Sequence, residues 1–256
     1  MNTTGRGAWP KYGRGGTLNT KGTEIGPYYT LAKEPINQIG LYAWCKGMQG
    51  EIVSLDYFAT HQGVFAIQIL SNSYLGNPKL ENADGIFGPD TLQLVKEVQR
   101  KAGLIVDGVV GQKTMQALLI PVIQQVSDEK KVPFNAIYGL LHFEGNWDPG
   151  AVGVLDPEDL GLAQINTKAH PHVAPSSAFC PSFAVSFIAD YLRTALDQLG
   201  NLQDAVISYN LGIGGTRQWI AAGRPEVWVP KWSTLPRKPF DYYNNIIGVW
   251  RGQPNT

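Results

Sequence analysis

Apolar positions between residues 64 and 119 recur at the three- and four-residue steps of an α-helix. The same short polar punctuation interrupts them twice. In VFAIQILSNSYLG (64–76), Val64, Ile67, Ile69, Leu70 and Leu75 hold helical spacing. In PDTLQLVKEVQRKAG (89–103), Leu92, Val95 and Val98 fall on one face and the run stops at Gly103. A third run, QKTMQALLIPVIQQV, keeps the pattern as far as Pro121, which predicts the end of that helix. The punctuation is Asp84-Gly85-x-Phe87-Gly88-x-x-Thr91. It returns 23 positions later as Asp107-Gly108-x-Val110-Gly111-x-x-Thr114. Asp and Gly tolerate left-handed backbone, so each pair reverses the chain. Pro89 suits a first helical turn, where its missing N–H would be unpaired anyway. Asp90 complements the positive end of that helix. The pattern predicts a small three-helix unit in which each copy of the signal makes a tight turn and opens a helix.

Downstream, VPFNAIYGLLHFEGNWDPGAV (132–152) predicts a helix that begins at Pro133 and ends in a turn. Ile137, Leu140, Leu141 and Glu144 share one face. A carboxyl group on an apolar stripe is costly unless it is protonated or paired. Desolvation also favours the protonated form that a general acid requires. The same spacing fits a Glu144 at the rotating edge of that face, in water. His142 is two residues from Glu144 and so belongs to another face. FAVSFIADYLRTALDQLG (183–200) predicts an amphipathic helix that fills a core. LGIGG (211–215) lacks the Lys-Ser/Thr of a phosphate loop and predicts a turn. His170 and His172 lack a recognisable third ligand and read as surface residues, so no metal or other cofactor is expected.

Composition narrows the class. Of 256 residues, 43% are hydrophobic and 16% charged, which marks a globular chain. Formal net charge is zero, so nothing points to nucleic acid held by bulk charge. Seven Trp and eleven Tyr suit flat recognition surfaces such as sugar sites, and suit an ordinary core equally. Cys45 and Cys180 form no disulfide framework or zinc spacing and read as ordinary thiols. No apolar run approaches the ~18 residues of a membrane span, so no membrane insertion is expected. The opening MNTTGRGAWPKYGRGG has no apolar signal-peptide core. A substrate beyond the membrane would therefore need another route of delivery. The expected organisation is a Gly-rich arm over 1–50, available for docking, a small helical domain over 51–125, and a larger helical domain over 126–256.

Two resemblances give these domains a function. The doubled Asp-Gly-x-x-Gly-x-x-Thr with its intervening helix resembles the peptidoglycan-binding domain of cell-wall hydrolases, which implies binding to bacterial peptidoglycan. The later segments resemble the lysozyme-like lytic transglycosylases, a group shared with goose-type lysozymes. Glu144, Pro149 and Ala151 match the first block of that family. Gly161, Leu162, Gln164 and Ile165 match its Gly-Leu-Met-Gln block, with Ala163 in place of Met. Ala205, Tyr209, Asn210 and Gly212 match its Ala-x-x-x-Tyr-Asn-x-Gly block.

The resemblance implies a mainly α protein that cuts the MurNAc–GlcNAc bond. Glu144 would protonate the leaving oxygen and then, ionised, take a proton from the sugar's C6 hydroxyl, leaving a 1,6-anhydro end. Gln164 and Asn210 would hold the sugar or orient Glu144. Tyr209 would lie near the catalytic carboxyl, or belong to the core with a satisfied hydroxyl. Gly161 and Leu162 would belong to the substrate-binding set. The C-terminal part would close the saccharide groove, with an aromatic such as Trp228, Trp232 or Tyr243 against a sugar ring.

Two departures stand out. Gly153 occupies the position of a family Ser that bonds the Glu, and the loop GVLDPEDLGLAQ is longer than usual. Its Asp156, Glu158 and Asp159 leave water-activating hydrolysis open beside transglycosylation. With no export signal, the expected setting is a bacteriophage: an endolysin passing a holin pore, or a virion or tail lysin whose arm docks on phage structural proteins.

Overall fold

The computed structural model describes residues 61–76, 83–153 and 155–250, so the expected arm over 1–50 and Cys45 lie outside the described residues. The fold is mainly α. In chain order the helices are α1 (His61–Leu75), α2 (Pro89–Lys101), α3 (Gln112–Lys130) and α4 (Phe134–Gly145). A two-residue antiparallel pair follows, β1 (Asp159–Leu160) with β2 (Ile165–Asn166). Then come α5 (Pro175–Ala178), α6 (Pro181–Leu199), α7 (Leu202–Ala221) and α8 (Pro239–Ile247). No described helix is long and apolar enough to cross a membrane.

The described residues gather into two compact units. One takes them as far as Val122 together with Glu144–Ala184; the other takes Ile123–Phe143 and those from Val185 on.

In the first unit α1 and α2 pack together around Val64, Ile67, Leu70, Leu94, Val95 and Val98, all buried. Leu94 is buried in α2, while Leu92, expected there, is half-buried and runs beneath Gly108, where a Cβ would strike it. Ile69 faces outward. The repeated turns share one wiring. Gln68 donates from Nε2 to Asp84 Oδ1 (2.9 Å), Ile86 O (3.2 Å) and Thr91 Oγ1 (2.8 Å), and accepts from the Gly85 N–H (2.9 Å). Gln99 repeats the pattern on Asp107 Oδ1 (2.8 Å), Val109 O (2.9 Å), Thr114 Oγ1 (3.3 Å) and the Gly108 N–H (2.8 Å). Gly85 and Gly108 both have positive φ, which explains why the signal needs glycine there.

Helix α3 departs from the sequence expectation, because it runs through Pro121 to Lys130. Pro121 is exposed, so its ring meets no core neighbour, and the buried face continues past it in Ile123 and Val126. Burial on both sides of the proline outweighs the one helical hydrogen bond it removes.

In the second unit α6 buries Val185, Ile188, Ala189, Leu192 and Ala195, the amphipathic pattern its sequence predicts. Helix α7 opens on an Asn201 cap, whose Oδ1 accepts from the Asp204 N–H (2.9 Å). It breaks at Gly212 (φ 71°, ψ 155°). LGIGG is therefore the expected turn: two helical segments meet across Gly212, and the chain doubles back so that Arg224, beyond the second, reaches Asp204 at the start of the first. A Thr216 hydroxyl bonds the Gly212 carbonyl (2.9 Å), so a group freed at the break is satisfied locally. Helix α8 packs on α7, and Ile207, Leu211 and Trp219 form a buried cluster joined by Trp228, Phe240 and Tyr243. The α8 backbone at Ile246 lies so close to Gly139 of α4 that no Cβ fits there.

Candidate active site

Glu144 stands in the last turn of α4. Ile137, Leu140 and Leu141 on the same stripe are wholly buried, whereas Glu144 is half-buried. Both sequence readings of this residue are thus partly met: it borders the apolar face and keeps some contact with solvent. The chain leaves the helix through two consecutive left-handed residues, Asn146 (φ 48°) and Trp147 (φ 62°). Such geometry costs about 1–3 kcal/mol per residue and persists only where the surroundings enforce it. Trp147 is fully buried and anchors the turn, and Asp148 Oδ1 accepts from the Gly150 N–H (2.9 Å). Gln112, at the start of α3, donates to the Asn146 carbonyl (3.3 Å).

The 161–164 segment meets this helix end within the same unit. A Cβ at Gly145 would collide with the Leu162 backbone, so only glycine permits the approach. Gly161 has φ 71°, and a Cβ there would strike the Ala178 carbonyl. Leu162 is wholly buried and Gly161 is buried. Any contact of theirs with a substrate would therefore run through the backbone. They set the path of the backbone. Gln164 is left-handed too (φ 46°) and 9% exposed. Its Nε2 donates to Gly161 O (3.0 Å) and Ala151 O (3.4 Å), which uses both amide hydrogens on the backbone. The Oε1 is the end left to accept.

Gly153 has no room for the family's Ser, since a Cβ would meet the Asp156 carbonyl and the Asp159 side chain. The longer loop occupies that space, and its carboxylates are committed. Asn166 Nδ2 bonds Asp156 Oδ2 (3.1 Å) and Asp159 Oδ1 (2.9 Å). The Thr167 hydroxyl donates to Glu158, which is buried, and Lys168 Nζ lies 3.9 Å from Asp156 and 3.8 Å from Glu158. No cluster of three or more His, Cys, Asp or Glu fit to hold a metal occurs among the described residues.

Tyr209 and Asn210 belong to the second unit, half-buried on α7 just before its break. Tyr209 meets the Tyr191 ring edge-on at 5.1 Å. The Tyr191 hydroxyl donates to the Ser208 carbonyl (2.6 Å), and burial pushes its pKa up, keeping it a donor. Among the described residues the Asn210 amide has no hydrogen-bond partner. Elsewhere, burial lowers the pKa of His142, which is half-buried. His170 and His172 lie edge-on at 5.9 Å.

Sequence reasoning missed Gln68, Gln99, Trp147 and Gln112. The two glutamines carried a faint signal, because each lies on the helix that precedes its own copy of the repeat.

These features define a helical protein in which a turn-repeat module precedes a larger helical domain with an acidic residue at a helix end. Two family models match the chain in that order: a peptidoglycan binding domain over residues 61–118 and a transglycosylase SLT domain over residues 121–225. The chain carries a peptidoglycan-binding domain followed by an SLT transglycosylase domain, and peptidoglycan is the substrate class that both imply. The second match contains Glu144, Gly161, Leu162, Gln164, Tyr209 and Asn210 and ends before Trp228. No curated protein matches the chain.

Proposed function

We propose that this chain cleaves the β-1,4 bond between MurNAc and GlcNAc in peptidoglycan, with Glu144 as the single acid–base group. The observation that carries the reading is Glu144 itself: half-buried, at the C-terminal end of a helix whose stripe is otherwise sealed, beside the backbone that positions Gln164. In this reading the Glu144 carboxyl enters the reaction with its proton on. Glu144 donates that proton to the leaving oxygen as the anomeric carbon becomes oxocarbenium-like. The carboxylate then takes the proton of the C6 hydroxyl, the C6 oxygen bonds the anomeric carbon, and a 1,6-anhydro end results. Gln164 Oε1 accepts from a sugar hydroxyl or amide N–H, and Asn210 is the α7 amide that the resemblance gives a role toward the sugar.

The committed loop carboxylates favour this route over hydrolysis. Asp156, Glu158 and Asp159 already accept hydrogen bonds, which argues against one of them activating water. The alternatives are a lysozyme-type muramidase and an inactive wall-binding virion protein. Mass spectrometry of muropeptides released from purified walls separates all three. Anhydro ends are expected; reducing ends mean hydrolysis, and no product means a scaffold. Glu144→Gln should cut release at least about a thousandfold while wall binding stays within twofold, because the acid and the base are lost together. The proposed setting is a phage endolysin or a virion lysin, a choice that proteomics of purified virions would decide.

A further inference from the structure

Gln112 breaks the repeat that contains it. The first copy of the signal opens α2 with Gly88-Pro89-Asp90-Thr91, and the second opens α3 with Gly111-Gln112-Lys113-Thr114. Proline and an acid are what the start of a helix favours. The second copy has neither, and α3 has no acidic residue in its first turn. Lys113 is exposed, so water screens its charge at the positive helix end. Gln112 is half-buried, and its Nε2 donates to the Asn146 carbonyl (3.3 Å), 34 positions along the chain. At the position where local preference and the first copy both put proline, the chain carries an amide that reaches the turn after Glu144.

Both ends of that bond are braced. At one end, Gln99 donates to Asp107, Val109 and Thr114, the Thr114 hydroxyl donates to the Val109 carbonyl (3.2 Å), and the Met115 N–H bonds Gly111 O (2.9 Å). Thr114 and Met115 are buried, so the first turn of α3 is a fixed base for the Gln112 side chain. At the other end, Glu144 is followed by Gly145, pressed against the Leu162 backbone, and by left-handed Asn146 and Trp147. The Asp148 N–H closes the turn on Gly145 O (2.9 Å). Backbone of this kind relaxes unless its surroundings hold it. Gln112 holds it from within the binding-domain match, which ends at 118, whereas Glu144 and its turn belong to the transglycosylase match, which begins at 121.

We propose that Gln112 is a positioning residue for Glu144: the binding module supplies the amide that fixes the turn after the acid. Gln112 touches no substrate. Its loss loosens the Asn146–Trp147 turn and lets Glu144 drift from the glycosidic oxygen, so turnover falls while substrate affinity holds. The catalytic half of this inference rests on the role given to Glu144 above.

Two full-chain variants test it. Gln112→Pro gives the second copy the residue that already opens the first, and Gln112→Ala removes the same amide without constraining the backbone. Hydrogen exchange over residues 144–148, followed by mass spectrometry, should quicken about fivefold in both, while exchange in α1 and α2 stays as in the parent. On soluble peptidoglycan strands, kcat should fall about tenfold and KM should stay within about twofold, because a small misplacement of the acid costs rate and not binding. Unchanged exchange over 144–148 overturns the proposal. So does faster exchange with kcat intact, or a loss that appears in KM alone. A parent chain that releases no muropeptides sinks the enzymatic reading, and exchange at the turn still decides whether Gln112 holds it.

Discussion

Gln68 and Gln99 each tie a turn to the helix before it through one amide group, which serves as both donor and acceptor. A buried amide with four partners leaves several backbone groups orphaned when it is removed. Gln99→Ala should lower stability by about 2–4 kcal/mol in chemical denaturation. Gln99→Glu should cost at least as much, despite its matching shape, because it sets a carboxylate against Asp107 and removes the donor. The sequence shows the Asp-Gly-x-x-Gly-x-x-Thr copies plainly, since glycine and turn acids have strong local preferences. It hides their partners, because a glutamine on a helix looks like any polar surface residue until the fold closes over it. Leu162 is the opposite case. It lies inside a recognisable block, but its complete burial and the close approach of its backbone to Gly145 are visible only in the structure.

Element boundaries were legible where a cap or glycine marks them, as at Pro89, Gly103 and Asn201. They were illegible where packing overrides local preference, as at Pro121. The two segments of α7 that meet at Gly212 are also joined by a charge lock. Asp204, almost wholly buried, accepts from both outer nitrogens of Arg224, which follows the helix, and from Asn201 Nδ2 (2.7 Å). Burial alone would raise the Asp204 pKa, but the Arg224 and Asn201 hydrogen bonds outweigh it and hold it below the ordinary 3.8. A carboxyl depressed in the folded state contributes stability that is present above its unfolded pKa and lost as pH falls through the folded one. The protein should therefore lose stability progressively below about pH 4. Asp204→Asn should flatten that part of the profile and cost about 2–4 kcal/mol at pH 7, measured as denaturation midpoints across pH.

At the scale of the whole molecule, the order of binding module and catalytic domain was readable because each carries several motifs in sequence, and three weak blocks in order are informative where one is not. How the chain passes from one to the other was not readable, since Pro121 suggested a stop. Only two residues separate the family matches, and both lie within α3.

That continuity has a practical meaning for anyone recombining such enzymes. An α-helix advances about 100° per residue, so the splice point behaves like meshed teeth and not like a tether. One residue added between Leu119 and Pro121 would swing Gln112 out of line with the Asn146 carbonyl beside the Glu144 turn. Chimeras that take a foreign wall-binding half should clear turbid cell-wall suspensions only when the donor keeps the residue count through this helix. Those one residue long or short should bind walls and leave them whole.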